Sequence, residues 1–318
     1  MRSNSSLERK ARLLRVGVDT TGPDAYPKFR DKYPNGGFLG PFWNEGEDFE
    51  FVPIPENKMV EKSKDKYYPK CYLEGREDEL VYGKLPGVRL NKRMIQTIQE
   101  IDSDRASTLK NIAVHWDPDF EHKTYGDARG KGIQNLNKND LLVFCASLQN
   151  PEKKEDHGLF IIGYFTLKER PFYLVRKEFD VHKRRTIIQQ YNEKNAHFSK
   201  AWARAWNYGE PNARKRLLQD YETKEWENFV LAVGNRENGG LLSKAIRITD
   251  PKPKWIPERG IHSSYCIMPE IAKSLGIDKK QRVWERGTRK VEGERHVGNL
   301  LKRLDEGLPF HPVVAPRA

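Results

Sequence analysis

Two apolar runs, residues 141–147 and 159–167, constrain this chain more than any other feature. Each has the length of a strand, and the polar stretch between them, residues 149–158, carries Asn150-Pro151 and a run of Lys, Glu and Asp. Two such runs around a polar loop predict a hairpin inside a barrel or a mixed sheet. Asp140 precedes the first run and is predicted to cap a turn. Gly163 interrupts the second and marks a bulge or a close backbone approach.

The predicted fold class is therefore α+β, a mixed or barrel-like sheet with flanking helices and a small helical C-terminal extension. The pattern of a turn aspartate followed by an apolar strand is also that of PUA-like barrels, which is an analogy of fold alone. Further strand candidates are residues 14–18, 49–54, 112–115 and 241–248. Helical spacing appears after Asn91 (Met94, Ile95, Ile98, Ile101), over residues 181–206, over residues 213–233 with Gly234 at the end, and over residues 268–275 before Gly276.

Composition excludes several classes. The chain has 318 residues with 7 Trp, 13 Tyr and 14 Phe, enough aromatics to rule out wholesale disorder. No stretch approaches the roughly 18 apolar residues of a membrane span. Three widely spaced cysteines (Cys71, Cys145, Cys266) argue against a disulfide scaffold. The charged N-terminal residues 1–15 do not read as a secretory signal. The expected compartment is the cytoplasm, and no membrane partner is expected.

The net charge of +12 is not spread evenly. Residues 165–216 hold 13 Lys/Arg against 5 Asp/Glu, and residues 282–303 hold 7 against 3. These two stretches account for the whole excess. Clustered positive charge reads as a footprint for a polyanion, nucleic acid above all, or as a solubilising surface.

Several short constellations can carry chemistry. Asp19-Thr20-Thr21-Gly22 follows a predicted strand; its hydroxyls can meet phosphate or ribose, and the same residues can form an Asx-turn. His115-Trp116-Asp117-Pro118-Asp119-Phe120 runs on to Tyr125-Gly126-Asp127. His115 and Asp117 would share one side of an extended strand, which suits general acid/base work, and Trp116 and Tyr125 could stack on a base. Against this stands a core tryptophan followed by an Asp-Pro turn. Asn195-Ala196-His197-Phe198 lies among cations, so His197 would be neutral near pH 7 and usable as a base, or simply a helix histidine. Arg204, Asn235 and Lys244 are candidate phosphate contacts. Phosphate-loop, dinucleotide-binding, zinc-protease and lipase motifs are absent. No metal site is predicted and no cofactor can be named.

Taken in order, these segments resemble the nucleotide-modification-associated domain family, which is linked to DNA base hypermodification. The matching residues are Gly17-Val18-Asp19-Thr20-Thr21, Phe51-Val52-Pro53-Ile54-Pro55-Glu56, His115 to Glu121 with Thr124-Tyr125-Gly126-Asp127, Asn139-Asp140-Leu141-Leu142-Val143-Phe144, Ile161-Ile162-Gly163-Tyr164-Phe165, Asn195-Ala196-His197-Phe198 and Gly234-Asn235. The chain departs from the pattern at Asn139, where a glycine would be usual, and at Cys145, where an aromatic would be. The resemblance spans about residues 14–250. It implies a modification domain over residues 1–250 and a basic extension over 251–318.

Two functions fit. One is an enzyme acting on a nucleobase or nucleotide, in DNA rather than RNA. Asp19, His115, Asp117, Asp127 and His197 would be its catalytic groups. Thr20, Thr21, Trp116, Tyr125, Gly126, Asn195, Arg204, Asn235 and Lys244 would hold the nucleotide. The other is a PUA-like reader that captures a modified base in an aromatic cage without chemistry. In the first, Asp19, His115, Asp127 and His197 should meet in one pocket; in the second, Trp116, Tyr125 and a third aromatic should face one another, with His115 and Asp117 pointing elsewhere.

Overall fold

The hairpin predicted from the two apolar runs forms the centre of a large mixed sheet. The computed structural model describes residues 8–16, 40–46, 48–49, 54–55, 114–115, 118–127, 132–133, 135–150, 152–153, 156–173, 190–191, 195, 230–250, 265–284 and 288–308. Its strands are β1 (Ala11–Arg15), β2 (Gly40–Trp43), β3 (Asp48–Phe49), β4 (Ile54–Pro55), β5 (Val114–His115), β6 (Thr124–Asp127), β7 (Leu141–Gln149), β8 (His157–Leu167), β9 (Phe172–Tyr173), β10 (Val230–Arg247), β11 (Tyr265–Cys266), β12 (Val283–Trp284) and β13 (Thr288–Val291). Two helices follow the long strands, α1 (Pro269–Ser274) and α2 (Glu294–Glu306).

The main sheet runs β13-β1-β7-β8-β10-β6, with β2 on β7, β3 on β2 and β9 on β10. β1 and β2 lie parallel to β7, and the other pairs are antiparallel. The sheet is a curled half-barrel, and the fold is α+β as expected.

Both faces of the sheet are covered, which is why β7 reads as a continuous apolar run rather than an alternating one. Leu13, Val143, Cys145, Leu159 and Ile161 point to one side, where α1, α2, Tyr265 and Trp284 close over them. Leu14, Leu142, Phe144, Phe160 and Ile162 point to the other, against Phe42, Phe49, Phe120, Tyr125, Ile133 and Leu136. α2 presents Val297, Leu300 and Leu304 at helical spacing to the first core. Residues 265–304, beyond the region of resemblance, therefore supply a large share of that core.

Gly163 does what its position suggested. The register between β7 and β8 shifts between Phe144 and Cys145, so Ile162 has no opposite number. That bulge resets the alternation, and Phe165 and Leu167 still face the same core as Phe160 and Ile162. A Cβ on Gly163 would fall 2.5 Å from both the Gly240 carbonyl oxygen and a Phe120 ring carbon.

One expectation is corrected. Residues 230–233 are not the end of a helix but the start of β10, paired with β6. A four-residue apolar run buried all round fits either element, and pairing with β6 decides for strand. Gly234 is accordingly no helix cap; it packs against Phe165, where a Cβ would sit 2.9 Å from the Phe165 Cβ. Residues 201–229, and the helix expected after Asn91, lie outside the described residues; of the helix expected over 181–206, in one piece or two, residues 190 and 191 are helical and residue 195 is not.

Candidate functional site

Before β6 the chain makes a tight turn. Asp119 and Thr124 exchange both backbone hydrogen bonds at 3.0 Å, and Lys123 takes φ 53 to close the loop. The Asp119 side chain organises the turn from inside. Its Oδ1 accepts the His122 N–H at 2.9 Å, and its Oδ2 lies 2.8 Å from His122 Nδ1. Asp119 is only 4% exposed, whereas the His122 side chain is 25% exposed. A buried carboxylate on Nδ1 fixes the ring and favours the tautomer with the proton there, leaving Nε2 as an acceptor.

The next two residues join this turn to other parts of the chain. Lys123 Nζ donates to the Gly239 carbonyl at 2.6 Å, and burial pulls its pKa below the usual lysine value. The Lys123 carbonyl accepts the Gly234 N–H at 2.8 Å. Thr124 Oγ1 accepts from Asn195 Nδ2 at 3.2 Å, with both side chains buried. Three separate constellations thus converge on Lys123 and Thr124: the turn before Tyr125-Gly126-Asp127, the segment with Asn195, and Gly234-Asn235.

The other expected site residues divide as follows. Asp19, Thr20, Thr21, Trp116, Asp117, His197 and Arg204 lie outside the described residues. His115 pairs with Ile54 through its backbone and Asp127 with Val230. Tyr125 is 9% exposed and its ring packs on Phe144 with centroids 5.6 Å apart. Gly126 pairs with Leu231. Asn235 Oδ1 accepts the Glu237 N–H at 3.1 Å, and the Lys244 N–H reaches the Gly307 carbonyl.

The Asp119–His122 pair was not among the residues singled out from the sequence. Its signal was an Asp and a His three apart, inside a segment already marked for its carboxylates. Among the described residues no group of three His, Cys, Asp or Glu side chains is placed to hold a metal ion. No helix among them is long and apolar enough to cross a membrane.

A sheet closed on both faces, with a buried carboxylate bonded to a partly exposed imidazole at the turn into one of its strands, defines an α+β domain with a polar site at one end. The family model for nucleotide modification associated domain 3 matches residues 10–297. The chain belongs to that family, and a role in nucleotide modification goes with it. Comparison with curated proteins and with solved structures finds no match.

Proposed function

We propose that the protein is an enzyme that modifies a nucleobase in DNA, with the Asp119–His122 pair as its acid–base centre. The observation that carries this reading is the pair itself: a carboxylate buried behind an imidazole that keeps a partly exposed edge. Asp119 would stabilise the imidazolium formed when Nε2 takes a proton, and His122 would return that proton later in the cycle. A base must leave the duplex to reach such a group, and the basic stretches of the chain would hold the strand while it does.

The convergence on Thr124 supports the same location. Asp117 is two residues from Asp119 and His197 two from Asn195, a span of at most about 7 Å each. These two residues and Asp127, which ends the same strand, are proposed to complete the group. A reader cage is less well supported, because it needs an open Tyr125 ring and that ring is packed on Phe144.

The test is nucleoside mass spectrometry on DNA from cells expressing the wild-type chain or His122→Gln. A new nucleoside mass with the wild type that disappears with a folded His122→Gln is expected. The same nucleoside profile with and without the protein would sink the enzyme reading.

A further inference from the structure

The start of β1, the turn into β7, the exit from β8 and the turn into β6 meet at one end of the main sheet. Main-chain hydrogen bonds hold them in a row. The Leu141 N–H donates to the Lys10 carbonyl at 2.8 Å, and the Asn139 N–H to the Leu167 carbonyl at 2.9 Å. The Lys168 N–H donates to the Val233 carbonyl at 3.0 Å, and the Gly234 N–H to the Lys123 carbonyl at 2.8 Å. The row therefore runs from β1 to the residue that follows His122. From β1 to β10 it crosses three strand spacings, about 14 Å, the axial length of about four base pairs of duplex.

Cations line the part of this rim between β1 and β8. Lys138, Lys168 and Arg170 are exposed and Lys10 is partly so. None of the four makes an ion pair among the described residues. Arg9 joins them, its guanidinium held by the Asn139 carbonyl at 2.7 Å and Thr166 Oγ1 at 3.4 Å, neither of which neutralises it. The carboxylates nearby face other partners. Asp140 is 4% exposed and spends its two oxygens on the backbone N–H groups of Lys10 and Asn137. Glu8 Oε1 accepts the Glu294 N–H at 2.9 Å. Glu169 lies toward Tyr191, whose phenol is pushed up first by burial and then by that charge. Nearer His122 the rim turns acidic, with Glu121 and Glu237 exposed. The outer face of α2 is mixed by contrast, with Glu294, Asp305 and Glu306 exposed against Arg295 and Lys302. Like charges gathered without counter-ions repel one another, and a polyanion laid over them relieves that repulsion while shedding its own counter-ions.

We propose that Arg9, Lys10, Lys138, Lys168 and Arg170 form a docking surface for the phosphate backbone of DNA, which lies along this end of the sheet so that one base reaches the His122 turn. The place of the reacting base rests on the acid–base reading of His122; the surface itself rests on charge and position. Lys168 and Arg170 also stand near the start of the basic stretch of residues 165–216. Contacts to phosphate carry no base information, so this surface sets position and register, and choice between bases falls to the His122 end.

The test is fluorescence anisotropy with the full chain and a labelled duplex of about 15 base pairs, at salt from about 50 to 200 mM. The triple variant Lys138→Gln, Lys168→Gln, Arg170→Gln should bind at least about tenfold more weakly at about 0.1 M salt, with a log–log salt slope shallower by about 2.7. Lys279→Gln, Lys280→Gln, Lys302→Gln removes the same charge elsewhere and should bind like the wild type. The surface is overturned if the wild type does not bind the duplex, or if both triple variants lose the same affinity. Weaker binding with an unchanged salt slope also overturns it, since the loss would then come from misfolding. So does polyglutamate of similar length bound as tightly as the duplex, which would assign the rim to an acidic protein. The measurement needs no turnover. Rim-dependent binding with an unchanged nucleoside profile keeps the surface and sinks the enzyme reading. A new nucleoside mass, with the first triple variant binding like the wild type, keeps the enzyme and overturns the surface.

Discussion

Asp140 Oδ1 accepts the backbone N–H of Lys10 at 2.8 Å, tying the start of β1 to the turn that launches β7. Its Oδ2 accepts the Asn137 N–H at 2.7 Å, so one carboxylate closes the turn and anchors the neighbouring strand. Asn139, just before it, stands at φ 72, the left-handed region where glycine is free of strain.

Asp140→Ala should cost about 3 kcal/mol, since two hydrogen bonds to a charged acceptor disappear together. Asn139→Gly should be tolerated, whereas Asn139→Ala should cost about 1 kcal/mol for its left-handed backbone. Urea unfolding of the three variants checks the order; a harmless Asp140→Ala would contradict it.

Gly163→Ala should destabilise by about 2 kcal/mol, because the new methyl overlaps the Gly240 carbonyl and the Phe120 ring, and neither can retreat from the core. Calorimetric melting measures this, and a second change, Phe120→Leu, should recover part of the loss by vacating the ring's edge.

Cys145 lies wholly inside the sheet, and burial drives its thiol pKa far up. Native-state alkylation should therefore leave Cys145 unmodified while the partly exposed Cys266 reacts. Peptide mapping after brief iodoacetamide treatment decides this; early label on Cys145 would mean that the β7–β8 core opens readily.

His157 should make stability fall on mild acidification. Burial, chiefly, and the Arg247 charge hold its pKa below the ordinary histidine value of 6.5, against the opposing pull of Asp156. Above about pH 7 the imidazole is neutral in both folded and unfolded chains and adds no slope. As pH drops through 6.5 the unfolded chain takes up the proton first, and stability declines until the folded value is reached. Urea midpoints between pH 7.5 and about 5 should show this slope, and His157→Gln should flatten it. An unchanged slope in that variant would assign the effect to another group.

The central hairpin, the turn at Asp140 and the bulge at Gly163 were legible because each follows from local chemistry. Long apolar runs seek burial, an aspartate closes a turn, and a glycine admits a carbonyl. Even the departure at Asn139 was informative, since asparagine is the residue that best replaces glycine at positive φ. The first four residues of β10 were misread because Val230-Leu231-Ala232-Val233 carries no period. The site was legible only as a neighbourhood. His122 matters through Asp119, and Lys10 joins Lys138 through Asp140, a contact between residues 130 positions apart that no spacing rule can show.

The pairing of β1 carries a consequence for how the chain reaches this state. β1 takes one partner from residues 141–145 and the other from residues 288–291, and Arg12 is bonded to Glu292, 280 residues further on. A ribosome delivers that second partner long after the first strand has left it. Until then the first strand presents one bare row of amides and carbonyls, the kind of edge on which nascent chains cling to one another. Completion of the sheet is thus a late event, and its rate is limited by the search of β1 for a partner about 280 residues further along the chain.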